Sequence, residues 1–187
     1  MLLNFRSQFA PGYNYPNDSI AISKFLAPGY ITLALGMDYK PNDNFSLFIS
    51  PATVRFLIVN DDLLSRLGAF GVDSGKKVKT EVGAYVKAAY KKEFTKNTAL
   101  LTSVDFFSNY LKNPGNIDIN WQLLFTTKIT RFISVNVSTQ LIYDDDTKVQ
   151  IYNNDDTPIP GYFGPRVQFK EFIGIGFAYN ITGFTVR

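Results

Sequence analysis

Apolar and polar residues alternate along this chain in runs that outlast the five or six residues of an ordinary soluble strand. The cleanest run sets Ile133, Val135, Val137, Thr139, Leu141 and Tyr143 against Ser134, Asn136, Ser138 and Gln140. Others set Ile117, Ile119, Trp121, Leu123 and Phe125 against Asp118, Asn120, Gln122, Leu124 and Thr126, and Leu100, Thr102, Val104 and Phe106 against Leu101, Ser103 and Asp105. Val82, Ala84, Val86, Ala88 and Tyr90 alternate with Gly83, Tyr85 and Lys87, and Ile31, Leu33, Leu35, Met37 and Tyr39 with Thr32, Ala34, Gly36 and Asp38. A first run holds Leu3, Phe5, Ser7 and Phe9, and a last one Ile173, Ile175, Phe177 and Tyr179. Side chains of a strand point to opposite faces in turn, so each run is a strand with one apolar and one polar or small face. Phe45, Leu47 and Ile49 are in phase, but beyond Pro51 the apolar set becomes Val54, Phe56 and Ile58, one step out. Proline has no N–H to donate, so a bulge at Pro51 that resets the phase is expected. That makes eight strands, with one short helical candidate at Leu63–Leu64–Ser65–Arg66–Leu67.

The connections are lopsided. Residues 10–27, 60–77 and 144–164 are long, whereas 40–44, 92–97 and 128–131 are short and fall between them in alternation; 113–116, also short, completes the series. All long loops therefore lie at one end of an antiparallel up-and-down meander. Such a meander leaves two free edges unless it closes, and closure removes them. The expected fold is all-β, an antiparallel meander closed into a transmembrane-type barrel of about eight strands, or part of a wider one. Residues 1–187 form a single barrel domain, expected to be a fragment without a signal peptide and an N-terminal part, since Met1 to Arg6 shows neither a charged start nor an apolar core.

Composition removes most chemistry. The 187 residues include no His and no Cys, which excludes a Ser-His-Asp triad, a thiol nucleophile, a zinc ribbon and disulfides. No cofactor is expected and no enzyme activity; an envelope enzyme would need Ser or Thr activated by Lys, and no spacing selects such a pair. Net charge of +3 without a long basic run argues against a nucleic-acid partner. No window approaches the roughly 20 apolar residues of a transmembrane helix. Yet aromatics make up 16% of the chain while mean hydropathy is only −0.04.

A soluble barrel turns its apolar face inward and a membrane barrel turns it outward. The polar face carries both signs of charge in mid-strand, and its candidate lumen-facing residues are Arg6, Asp38, Arg55, Lys79, Glu81, Lys87, Asp105, Asp118, Asn120, Asn136, Gln140 and Lys170. The apolar face is nearly uncharged over the 9 to 11 residues or so that cross a bilayer. Aromatics gather toward strand ends, at Tyr30, Tyr39, Phe45, Tyr90, Phe94, Tyr110, Phe132, Tyr143 and Tyr179. A non-enzymatic outer-membrane barrel follows, a scaffold or narrow pore of the bacterial envelope whose partner is membrane lipid or lipopolysaccharide. The alternative is a soluble lipocalin-like barrel holding one small apolar ligand. Glu171 falls in the outward phase of the last strand, and either sits above the bilayer near the long-loop end or follows a bulge before Ile173.

Phe5 to Tyr15, Ile22 to Phe25, the Ala-Pro-Gly-Tyr at 27–30 that repeats the one at 10–13, Leu35 to Pro41, Phe48 to Pro51 and Gly68 to Val72 together resemble a Bacteroidota outer-membrane β-barrel family catalogued as a domain of unknown function. The similarity is strongest at 5–90 and 169–180 and corresponds to the C-terminal portion of longer members. It implies a barrel and an outer-membrane location, and no activity.

Three further features are weighed. Asp144–Asp146 with Asn153–Asp156 offer oxygens to calcium but lack EF-hand spacing, so a solvated acidic loop and no metal site is expected. Glu81, Asp105 and Asp118 form a carboxylate set that neighbouring Lys79 and Lys87 mark as lumen ion pairing rather than acid-base machinery. Residues 60–77 fold as a lid over the mouth or dip inward as a plug. The sequons at Asn17, Asn44, Asn136 and Asn180 are chance matches, since Asn136 lies mid-strand.

Overall fold

Residues 1–14, 16–153 and 157–178 are described by a computed structural model. Tyr15, Asn154, Asp155, Asp156, Tyr179 and Asn180, all part of the expectations above, lie outside the described residues. Eight strands form one antiparallel sheet in the order β1 (Leu2–Ser7), β4 (Gly29–Asn42), β5 (Phe45–Ile58), β6 (Val78–Thr95), β7 (Thr98–Asn109), β8 (Ile117–Lys128), β9 (Ile133–Tyr143) and β12 (Gln168–Phe177). Every strand pairs with its neighbour along the meander. The sheet is open among the described residues: β1 and β12 are its edges, and no ladder joins them, in contrast to the closed barrel expected.

Two long connections are not plain loops. Residues 8–28 contain the hairpin β2 (Gly12–Asn14) and β3 (Asn17–Ser23), and 144–167 contain β10 (Val149–Tyr152) and β11 (Pro158–Gly164). The third holds the helix α1 (Asp62–Arg66). The three short turns each rest on one polar side chain that accepts backbone N–H groups. Asn42 Oδ1 accepts from Asn44 and Phe45 at 3.0 and 2.9 Å, Thr95 Oγ1 from Asn97 at 3.1 Å, and Thr130 Oγ1 from Phe132 and Ile133 at 3.2 and 3.1 Å. Such self-capping is why Asn and Thr occupy these positions.

The Pro51 bulge is present. The β5–β6 register slips between Ser50 and Thr53, and the β4–β5 register between Leu35 and Met37. Ser50 Oγ fills the gap in the ladder by donating to the Leu35 carbonyl at 2.7 Å, and Thr53 Oγ1 donates to Ser50 Oγ at 2.9 Å. Opposite the bulge the backbones crowd so closely that a Cβ on Gly36 would lie 2.1 Å from the Ile49 carbonyl oxygen. Gly83 is similar, its would-be Cβ 2.0 Å from the Ser108 carbonyl oxygen.

The sheet is strongly curled. Strands β5 and β8 lie three spacings apart, about 14 Å on a flat sheet, yet Arg55 on β5 bonds Asp118 on β8 at 2.8 Å. Tyr110, just beyond β7, donates to the Pro51 carbonyl at 2.9 Å across β6. The apolar phase faces out on the convex side, with Leu35 at 62%, Met37 at 77% and Ile175 at 80% exposure, while Ala34, Thr53, Leu57, Glu81 and Phe107 of the other phase are buried. Glu171 pairs with Thr139 in an unbroken β9–β12 ladder, so no bulge precedes Ile173 and the carboxylate stays on the convex face, three residues from the long-loop start of its strand. Among the described residues no helix is long and apolar enough to cross a membrane.

The crowding at Gly83 generates a test. G83V is expected to lower stability by about 1–3 kcal/mol, whereas G115A, with open space around it, is expected to change it by less than about 0.5 kcal/mol; equilibrium chemical unfolding followed by Trp121 fluorescence distinguishes the two.

Candidate functional site: a charged concave face closed by a loop cap

The ladder registers fix which side chains share the concave face. Reading across the sheet, Arg6 pairs with Tyr30, Arg55 with Glu81, Lys87 with Asp105, Asp105 with Asn120, Thr126 with Asn136, and Gln140 with Lys170. Asp38 pairs with Phe48, Leu57 with Lys79, and Phe107 with Asp118. All twelve candidates therefore lie in one phase, that of the concave face.

They do not act as one cluster. The first group centres on Arg55, whose guanidinium donates to Glu81 Oε2 from Nε at 3.0 Å and from Nη2 at 2.7 Å, reaches Asp118 at 2.8 Å, and stacks on the Phe107 ring at 3.7 Å. Lys79 bonds the other Glu81 oxygen at 2.8 Å and then Asp146 at 2.5 Å, and Asp146 also takes Lys112 at 2.7 Å. Glu81 is 6% exposed, so both its oxygens are occupied by cations where water is scarce, as burial of a charge requires. The second group centres on Asp105, which accepts from Tyr85 Oη at 2.6 Å and Asn120 at 3.1 Å, with Lys87 3.7 Å away; Gln140 donates onward to Asn120 at 3.0 Å. Thr126 donates to Asn136 at 2.8 Å. The remaining three stand apart: Arg6 lies 4.9 Å over the Tyr30 ring, Asp38 pairs with Lys40 at 2.7 Å in an open position, and Lys170 sits exposed on the edge strand.

Asp105 is thus separated from Glu81 and Asp118, and the latter two are bridged by one guanidinium. Glu81 held this way is a poor acid or base, because both its oxygens already face a cation. Tyr85, Phe107 and Lys112 complete the network without having been singled out from the sequence, and Asp146, expected in a solvated acidic loop, joins it as an ion-pair partner. Asp146 lies 67 residues from Lys79 in a loop, and no local pattern marks such a contact.

The long-loop end is closed over this face. Asp61 caps α1, accepting from the Leu63 and Leu64 N–H groups at 3.0 Å each and from Lys24 Nζ at 2.5 Å. Leu64 and Val72 are thereby held against Ala27, Leu57 and Val59, with Tyr30, Ala69 and Phe70 around them. The cap packs on strand-end residues, and Gly71 abuts the Asp146 backbone so closely that a Cβ there would be 3.0 Å from its carbonyl oxygen. The acidic loop is consumed internally: Asp144 Oδ1 accepts from the Asp146 and Thr147 N–H groups, and Asp145 from Asn116 at 2.6 Å. Among the described residues no group of three or more acidic side chains is placed to hold a metal ion.

No family model matches the chain, and it is similar to no curated protein and to no solved structure.

Two outcomes are expected. R55L leaves Glu81 buried with one cation fewer and Asp118 with none from β5, and should cost about 3 kcal/mol or more; R55L/E81L should recover part of that loss in the same unfolding assay, where simple additivity would deepen it. The second concerns pH. Burial raises the Asp146 pKa, but hydrogen bonds from Lys112 and Lys79 outweigh it and hold the carboxyl below its ordinary value, and the Lys24 ammonium and the Leu64 N–H hold Asp61 below its own. A carboxyl with a lowered folded-state pKa contributes stability that is complete above the ordinary value, about 4, and is lost as pH falls through the lowered one. Limited proteolysis within 59–77 should therefore accelerate on acidification below about pH 4, and D146N should show faster cleavage already at neutral pH.

Proposed function

We propose that this chain is a non-enzymatic transmembrane β-barrel protein of a bacterial outer membrane, a scaffold whose lumen is filled by ion pairs and capped at one mouth. The observation that carries the reading is the inversion of the sheet. In the convex phase of all eight strands the charged residues are Glu171 and the strand-terminal Lys92, whereas the concave phase holds Arg55, Lys79, Glu81, Asp105 and Asp118. Water-soluble proteins rarely leave so large a continuous apolar surface uncovered. Strands β4 to β9 have 11 to 18 residues, enough for tilted passage through hydrocarbon.

An open sheet edge is not tolerated in lipid, so the reading requires β1 and β12 to be covered. With an even strand count the two edges run antiparallel and pair with each other to close an eight-stranded barrel. A barrel of this size has an interior that side chains fill, and the Arg55–Asp118 bond spanning the curled sheet fits that. A scaffold is accordingly favoured over an open pore. An outer-membrane location is also what the sequence resemblance to the Bacteroidota family implies, although no family model matches the chain. A lipocalin-like carrier would need an apolar interior; two hollows of about 570 and 420 Å³ carry Lys40, Asp43 and Lys91, and Asp38, Lys40 and Lys87, in their walls.

Trp121 makes the test direct. It is the only tryptophan, it lies mid-strand on β8 in the convex phase, and its indole N–H donates to Thr102 Oγ1 at 2.9 Å. In bilayers of phosphatidylcholine with brominated acyl chains its fluorescence is expected to fall by half or more, and the folded band should migrate differently from the boiled one on a gel. Unquenched emission together with solubility in detergent-free buffer would overturn the membrane reading.

A further inference from the structure

The two ends of the sheet differ in charge. At the short-turn end the segments 40–44, 91–97 and 128–132 hold six cations, Lys40, Lys91, Lys92, Lys96, Lys128 and Arg131, against the two carboxylates Asp43 and Glu93. At the other end the described connections hold seven of each sign. There the signs balance, and four of the cations are paired within the fold, in Lys24–Asp61, Lys77–Asp62, Lys76–Asp73 and Lys112–Asp146, while Arg66, Lys148 and Arg166 have no carboxylate partner among the described residues. At the short-turn end only Lys40 and Lys91 have carboxylate partners among the described residues, Asp38 at 2.7 Å and Glu93 at 3.1 Å. Lys92, Lys96, Lys128 and Arg131 have none.

These cations are interleaved with aromatics. Lys92 Nζ lies 5.4 Å from the Phe94 ring centre, and the Arg131 guanidinium lies 4.5 Å from that of Phe132, which in turn stacks on Phe177 at 6.1 Å. The first turn is flanked by Tyr39 and Phe45. An aromatic ring holding a cation just beyond an apolar convex belt sets the charge at headgroup depth, where amphipathic rings are favoured. The three turns spread these charges along the sheet from β4 to β9, so they form a rim rather than a patch.

We propose that this rim binds the phosphates of anionic glycerophospholipids, such as phosphatidylglycerol, in the leaflet at the short-turn end, an inference that rests on the membrane reading above. Zwitterionic lipid offers the same phosphate offset by its choline; the unpaired cations of the rim select the lipid whose charge is not offset. An anionic surface attracts each nearby Lys or Arg by an amount equivalent to about five-fold in affinity, so four unpaired cations are enough for a marked preference.

The test is native mass spectrometry of the detergent-solubilised protein with equal amounts of phosphatidylglycerol and phosphatidylcholine. The wild type is expected to retain phosphatidylglycerol at least about ten-fold better, and K92Q/K96Q/K128Q/R131Q to bring the ratio near one, with K148Q/R166Q at the opposite end leaving it at the wild-type value. If the four-fold variant does not fold, K92Q and R131Q singly should each lower the ratio about three-fold. A wild-type ratio near one overturns the proposal, as does an equal loss in K148Q/R166Q. Quenching of Trp121 by brominated phosphatidylcholine with no phosphatidylglycerol preference overturns the rim alone; absence of both quenching and lipid retention overturns the membrane reading with it.

Discussion

Arg55 is the point on which the interior turns. Its guanidinium joins β5 to β6 through Glu81 and to β8 through Asp118, and rests on Phe107 of β7, so one side chain engages three further strands. A flat sheet cannot bring these groups together. Curl and charge pairing are therefore mutually dependent: the curl excludes water from Glu81, and only the paired cations make that exclusion tolerable. Buried ion pairs of this kind seldom add much net stability over apolar packing, but they select one arrangement, because any register that separates them strands a charge.

Register in turn depends on the bulge. Before Pro51 the even-numbered Phe48 and Ser50 face inward; after it the odd-numbered Thr53, Arg55 and Leu57 do. Without that one-residue reset Arg55 would point outward among Leu33, Val82 and their neighbours, and the inner network would lose its centre. Gly36 permits the close backbone approach the reset demands, and Ser50 supplies the hydroxyl that occupies the interrupted ladder. Proline, glycine and serine at three separate positions thus serve a single arginine.

This explains what was legible in the sequence. Strand phase depends on residues two apart, so all eight sheet strands, the Pro51 reset and the common phase of the twelve polar candidates could be read from neighbours along the chain. Adjacent-strand pairs such as Arg55–Glu81 and Lys87–Asp105 follow once the meander is assumed. Contacts between distant connections do not follow: Lys79–Asp146 and Lys112–Asp146 depend on where a loop settles, and the hairpins at 12–23 and 149–164 interrupt segments whose Pro, Gly and Asn content reads as turn alone. The helix at 62–66 is visible as an apolar triplet, but its seat on Ala27, Leu57 and Val59 depends on how the third connection folds back, which no local pattern marks. Closure of the sheet has no local signal either: each edge strand has apolar residues in phase, nothing in either names a partner, and no ladder joins β1 to β12 among the described residues.

The two ends of the sheet solve opposite problems. Long connections bring many charged residues to one mouth, where any that face the cap must be neutralised as water is displaced; the cap achieves this with its own pairs, and Asp61 serves both as helix cap and as partner to Lys24. Two- to four-residue turns have no spare chain with which to cover anything, so beyond the Lys40–Asp38 and Lys91–Glu93 pairs their cations are left to solvent or to something outside the protein. Small turns leave charge at the surface, and large ones fold it away. The net charge of +3 is consequently not spread over the molecule but concentrated where the chain is shortest between strands, which is also where the apolar convex belt ends.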